Sequence, residues 1–178
     1  QPFGLDELVA DLEAVRERTG FEQAHFAGHS LGGMIGPAYA RAFPDRVLSL
    51  GLLSTAAFRT EDDSAKVKGV VQAMRAQSVP EILATLSSRW FTDAFIAASP
   101  EVVQGRMDQV VGTDAEIFLN VFDIYASTEM APWLHEIAAP ALVLTGENDG
   151  GCPPRLNEQI TRAMPSAALV VLPKVKHS

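Results

Sequence analysis

Gly28-His29-Ser30-Leu31-Gly32-Gly33 is the stretch on which the fold turns. It matches Gly-x-Ser-x-Gly, the spacing of a serine carried on a sharp turn between a strand and a helix. Gln23 to Ala27 before it reads as a short buried strand. A helix from Leu31 to Ala42 follows and stops before Pro44. Side chains at both flanking positions of such a turn would clash, so glycine at 28 and 32 removes the Cβ atoms. Gly33 permits close packing of helix on sheet. The turn lifts the Ser30 hydroxyl above the sheet. The backbone N–H of Leu31, in the first turn of a helix, then offers an unpaired donor to negative charge, which is half of an oxyanion hole. The competing reading is a glycine-rich loop without chemistry, and the strand before and helix after argue against it. A phosphate-binding loop fits less well, because neither Gly-Lys-Ser/Thr nor Gly-x-Gly-x-x-Gly is present.

Working outward, Leu5, Leu8, Val9, Leu12 and Val15 recur at helical spacing and Gly20 ends that helix. Val47 to Leu53 is apolar almost throughout, as is Ala141 to Thr145, which suits parallel strands covered on both faces. An amphipathic stretch from Arg155 to Met164 and a strand from Ala168 to Leu172 close the chain. Strands alternating with helices predict an α/β fold with parallel pairing and right-handed crossovers. Ser54 to Ile137 interrupts the alternation with helices near Asp62–Gln77, Pro80–Trp90, Pro100–Val111 and Asp114–Ala126. An insertion of this size is too long for a loop. The expected organisation is a core of residues 1–53 and 138–178, with residues 54–137 as a helical cap over the C-terminal edge of the sheet.

A serine hydroxyl needs a base to take its proton, and the base needs an acid to orient it. Asp149 lies just past the Ala141 strand, in Gly146-Glu147-Asn148-Asp149-Gly150-Gly151, and His177 lies just past the last strand. Both loops open on the strand edge that carries Ser30, where α/β sheets place their sites. The order serine, acid, histidine is that of the hydrolases. Asp149 also suits a turn beside glycines, Glu147 is a rival acid in the same loop, and His177 could be an exposed terminal residue. The three residue types in the required order at three strand ends favour Ser30 as nucleophile, Asp149 as acid and His177 as base. His25 is expected to be a packed strand histidine, and His135 has no assigned role.

Three stretches carry a resemblance to the α/β-hydrolase superfamily and within it to the 3-oxoadipate enol-lactonase-like branch: Ala24–Met34, Phe43-Pro44-Asp45-Arg46-Val47 and Arg89-Trp90-Phe91-Thr92. Pro140–Asp149 resembles the acid-bearing strand and loop of the superfamily. The resemblance implies an α/β-hydrolase fold with parallel strands from the second half of the sheet. It also implies a chain incomplete at both ends, because the family places further strands, and a loop supplying the second oxyanion donor, before the elbow. A parent beginning about 80 residues earlier is expected. The implied chemistry is cleavage of a small ester or enol-lactone through an acyl-serine intermediate. A cofactor-free C–C bond hydrolase, a perhydrolase and a ligand-binding protein without turnover stay open, because the motifs discriminate substrates poorly.

Among the aromatic residues of the insertion, Trp90, Phe91 and Phe122 are expected to line an apolar pocket over Ser30, with His29 shaping it. Arg89 and Arg106 are either solvated helix residues or partners for a substrate carboxylate. Asp62-Asp63 reads as a solvated helix start. The net charge of −8 argues against a nucleic-acid partner. No apolar run nears the roughly 18 residues that cross a bilayer. The single cysteine, Cys152, forms no internal disulfide and offers no metal-ligand cluster, so no metal and no cofactor are expected. A cytoplasmic setting and a small-molecule ester or lactone partner complete the expectations, with homo-oligomerisation left open.

Overall fold

The computed structural model describes residues 3–77, 81 and 87–178. Its centre is one parallel sheet of β1 (Ala24–His29), β2 (Val47–Leu53), β3 (Ala141–Gly146) and β4 (Ala167–Leu172) in that spatial order. Parallel neighbours require crossovers, and α1 (Leu5–Thr19), α2 (Gly32–Ala42) and α7 (Pro154–Ala163) are the helices that flank the strands. Gly20, at φ 75°, takes the left-handed conformation that closes α1, and its N–H bonds the Glu17 carbonyl. The expected alternation of strands and helices and the expected parallel pairing are the ones found.

Register decides which residues share a face. Phe26, Leu50, Ala141 and Ala167 align across the sheet, as do Leu52, Val143 and Leu169 two positions on. This face forms the core with Met34, Tyr39 and Ala40 of α2 and Ile160 of α7, and Leu134 and Met130 close it. Tyr39 is completely buried, and its hydroxyl donates to the Glu13 carboxylate of α1, fixing α1 against α2. The Glu13 carboxylate is held down at about 2 by its bonds from Arg16 and Tyr39.

The opposite face is a correction to the expectation of strands covered on both sides. His25, Ala27, Leu142, Ala168, Val170 and Leu172 are exposed there, Leu142 by 42% and Val170 by 40%. The reason is that α2 and α7 both cover the Leu50–Val143 side. The Gln23–Ala27 strand is therefore half exposed rather than buried. His25 is likewise exposed and not packed, with its Nδ1 2.7 Å from the Ser49 hydroxyl.

Between β2 and β3 the described residues are helical with no strand: α3 (Glu61–Ala76), α4 (Asp93–Ala98), α5 (Pro100–Val111) and α6 (Ala115–Ser127). Thr60 and Asp63 exchange capping bonds at the start of α3, and Asp114 caps α6. Met74, Val110 and Leu119 form a separate small core with Val70, Trp90, Phe118 and Phe122 packed on it. The expected helix at Pro80–Trp90 falls largely outside the described residues, although residues 87–90 are helical. Helix α4 had no counterpart in the sequence reading, since six residues are too few for a periodic signal.

Candidate active site

The turn after β1 puts Ser30 at φ 56°, a left-handed value that costs a non-glycine residue energy and recurs at functional sites. Its N–H bonds the Leu53 carbonyl at the end of β2, so the strain is held from the sheet side. A Cβ on Gly28 would lie 2.1 Å from the Gly32 carbonyl oxygen, so residue 28 must be glycine. A Cβ on Gly32 would meet nothing within 4 Å, which corrects the expectation that both flanking glycines relieve a clash. The Leu31 N–H remains unpaired among the described residues and sits where α2 begins.

Asp149 and His177 reach each other across the ends of β3 and β4. His177 Nδ1 lies 2.8 Å from Asp149 Oδ2. The other oxygen of Asp149 accepts from the N–H groups of Gly151 and Cys152 at 2.9 and 2.8 Å. Burial pushes the Asp149 carboxyl up, but the bonds from His177, Cys152 and Gly151 outweigh it and hold it below the usual carboxylate range. Thr145 and Asn157 both donate to the Cys152 carbonyl, at 2.7 and 2.9 Å, which fixes the loop beneath the acid. Glu147 instead accepts from the Lys174 N–H at 2.9 Å, so its carboxylate secures the turn before His177. The sequence did not flag Gly146, yet a Cβ there would lie 2.4 Å from the Val175 carbonyl oxygen. The loop that carries His177 passes directly over the end of β3 at that point.

Ser30, Leu31, His29 and His177 all face one cavity of about 1040 Å³, closed on its other side by α3, α6 and residues 88–90. No hydrogen bond joins Ser30 to His177, and such contacts are often long in unliganded sites. His29 Nε2 lies 2.7 Å from the His177 carbonyl oxygen, with the rings 4.7 Å apart. Burial lowers the pKa of His29 against the opposing effect of that bond. Trp90 and Phe122 line the cavity. Phe91 does not: it is 4% exposed and stacks on Phe95, so it belongs to the packing of the helical segment. Arg89 and Arg106 both border the cavity, with Arg59, Lys66 and Tyr125. Asp63 is a further correction: its carboxylate is paired with Arg155 and caps Thr60, so it is not simply solvated. Asp149, Cys152 and His177 have donor atoms within 4.8 Å of one another, a grouping the sequence did not suggest. The Cys152 thiol is fully enclosed and burial pushes it up to about 12, while His177 Nδ1 and Asp149 are bonded to each other. The Cys152 thiol for its part lies 3.1 Å from the Tyr125 hydroxyl.

Residues 1–93, just over half of the chain, match the family described as alpha/beta hydrolase fold. Among curated proteins the chain is similar to 3-oxoadipate enol-lactonase 2 of Acinetobacter baylyi, 32% identical over 148 residues, which is 83% of this chain and 55% of that protein. It is 28% identical over 176 residues to a 2-hydroxy-6-oxononadienedioate/2-hydroxy-6-oxononatrienedioate hydrolase of Burkholderia vietnamiensis, covering 93% of this chain and 60% of that protein. The crystal structure of the enol-lactonase from Burkholderia xenovorans superposes with a TM-score of 0.88 at 24% identity, covering 99% of this chain and 66% of that one. The chain thus spans little more than half the length of the curated relatives named here.

Proposed function

This chain belongs to the alpha/beta hydrolase fold family, and from that premise we propose that it cleaves a small ester or enol-lactone through an acyl-serine intermediate, with Ser30, Asp149 and His177 as its catalytic triad. The observation that carries the reading is the 2.8 Å bond between Asp149 Oδ2 and His177 Nδ1 beside a cavity that Ser30 also faces. An ionised Asp149 accepts from His177 Nδ1–H and so leaves Nε2 unprotonated. Ser30 Oγ attacks the substrate carbonyl carbon and His177 Nε2 takes its proton. Asp149 stabilises the imidazolium that forms. Charge on the former carbonyl oxygen is met by the Leu31 N–H at the start of α2. Collapse breaks the bond to the leaving oxygen, which takes the proton from His177. In a lactone that oxygen stays tethered to the acyl group. Water, deprotonated by the same imidazole, then releases the acid and regenerates Ser30. The segment between β2 and β3 serves as a cap whose Trp90 and Phe122 give the pocket its apolar wall.

Ser30→Ala is expected to lower ester turnover at least about a thousandfold without loss of folding, because such residues act as a unit. A fluorophosphonate probe should label the wild type and not the variant. Near-wild-type hydrolysis by Ser30→Ala refutes the reading, and absence of labelling in the wild type favours a ligand-binding protein without turnover. Cleavage of C–C substrates in preference to esters and lactones would favour a C–C bond hydrolase using the same three residues.

A further inference from the structure

His177 stands past the end of β4, on residues 173–178, which form neither helix nor strand. Asp149 holds its ring at one atom, Nδ1. A ring held at one atom still pivots unless the backbone behind it is held too. The bonds that do this come from three directions. Before the histidine, the Asn148 N–H donates to the Val175 carbonyl at 2.9 Å. Lys176 Nζ donates to the Ser88 carbonyl at 2.6 Å. The peptide that follows His177 is gripped on both sides: the Ser178 N–H donates to the Trp90 carbonyl at 3.0 Å, and the His177 carbonyl oxygen lies 2.7 Å from His29 Nε2. The last of these bonds comes from the residue next to Ser30.

A carbonyl oxygen only accepts, so His29 carries a proton on Nε2 and donates it. His29 is the last residue of β1, and its pairing opposite Leu53 of β2 fixes the backbone from which the ring extends. We propose that His29 is a positioning residue whose Nε2–H holds the His177 backbone in place relative to Ser30, so that the elbow sets the base as well as the nucleophile. This rests on the proposed hydrolase function for the roles of Ser30 and His177, while the bond stands on its own geometry. His29 also borders the cavity, yet its donor nitrogen is spent on the base and not offered to a substrate. Desolvation holds its pKa below the usual histidine value, so the ring donates while neutral. It therefore sets no second cation beside the His177 ring, 4.7 Å away, when that ring becomes an imidazolium. Placement matters because a shift of about 1 Å in a reacting group costs on the order of a hundredfold in rate.

The test compares His29→Phe, which keeps a ring and removes the donor, with His29→Gln, whose amide N–H falls close to the place of Nε2–H. On p-nitrophenyl pentanoate, His29→Phe should lower kcat at least about tenfold with KM within about twofold, and His29→Gln should recover most of the loss. Circular dichroism and Tm control for folding. Proton NMR of 15N-histidine-labelled protein reads the same geometry without turnover. The Nδ1–H of His177 in its bond to Asp149 should give a low-field resonance that shifts or broadens in His29→Phe and returns in His29→Gln. If wild type cleaves no ester and takes no fluorophosphonate label, but the resonance follows this pattern, the positioning role holds and the hydrolase reading falls. An unchanged kcat or an unchanged resonance in a folded His29→Phe protein, a His29→Gln protein as impaired as His29→Phe, or a loss confined to KM overturns the proposal.

Discussion

Replacing Asp149 with asparagine tests the acid more sharply than deleting it. One carboxylate oxygen accepts from two backbone donors, Gly151 and Cys152, and the other faces His177 Nδ1. An amide has a single oxygen. Putting its NH₂ toward Gly151 and Cys152 would set donor against donor at a buried site, so the oxygen stays there and the NH₂ turns to His177. Nδ1 must then accept, which moves the ring proton to Nε2 and leaves no base for Ser30. Loss of the correct tautomer is worth about ten-thousandfold in kcat, or ~5.5 kcal/mol of barrier. Folding should change little, because the two backbone bonds survive and the net cost is about 1 kcal/mol. Glu147→Gln should leave kcat within about threefold, since that side chain only receives the Lys174 N–H, and an amide oxygen does so too. Steady-state hydrolysis of a p-nitrophenyl ester by both variants, with Tm from calorimetry, measures each quantity. An Asp149→Asn protein within about tenfold of wild type, or a Glu147→Gln protein more impaired than it, refutes the argument.

Gly28→Ala should fail to fold or lose several kcal/mol, because its Cβ meets a backbone carbonyl that cannot yield, whereas Gly32→Ala should fold with Tm nearly unchanged. Chemical denaturation of both variants decides it, and equal effects would contradict the turn geometry. The Cys152 thiol, enclosed and pushed up to about 12, should react with DTNB at pH 8 at least about a hundredfold slower in the folded protein than in denaturant; rapid labelling of native protein would show the loop to open.

The parts of the site read from sequence share a property: their chemistry is imposed locally. A serine elbow needs its first glycine because the clash is with a carbonyl four residues on, and an acid or base at a strand end is placed by the strand that precedes it. Ser30, Asp149 and His177 could therefore be located from spacing and order alone. The features that escaped depend on where distant segments cross. Arg59 is one cation among several until it meets a tyrosine 66 positions later, and Gly146 looks like any loop glycine until the Val175 carbonyl passes over it. Phe91 and Phe122 sit in similar aromatic surroundings in sequence, and only packing turns one into a core and the other toward the cavity.

The same contrast separates the two faces of the sheet. Apolar residues on both alternating positions, as in Val47–Leu53 and Ala141–Thr145, state that a strand can be covered on both sides; they do not state what covers it. Here α2 and α7 both lie on the Leu50 side, and Leu142, Val170 and Leu172 face outward. Periodicity records the environment a strand tolerates, while coverage is set by which helices return to which face. The candidate site is insulated from that difference, because Ser30, Asp149 and His177 sit past the C-terminal ends of β1, β3 and β4. Strand pairing sets their positions there, and burial of the Leu50 face alone suffices to specify the register, whatever covers the other face. A site built on strand ends is therefore legible from sequence even where the packing of the sheet's faces is not.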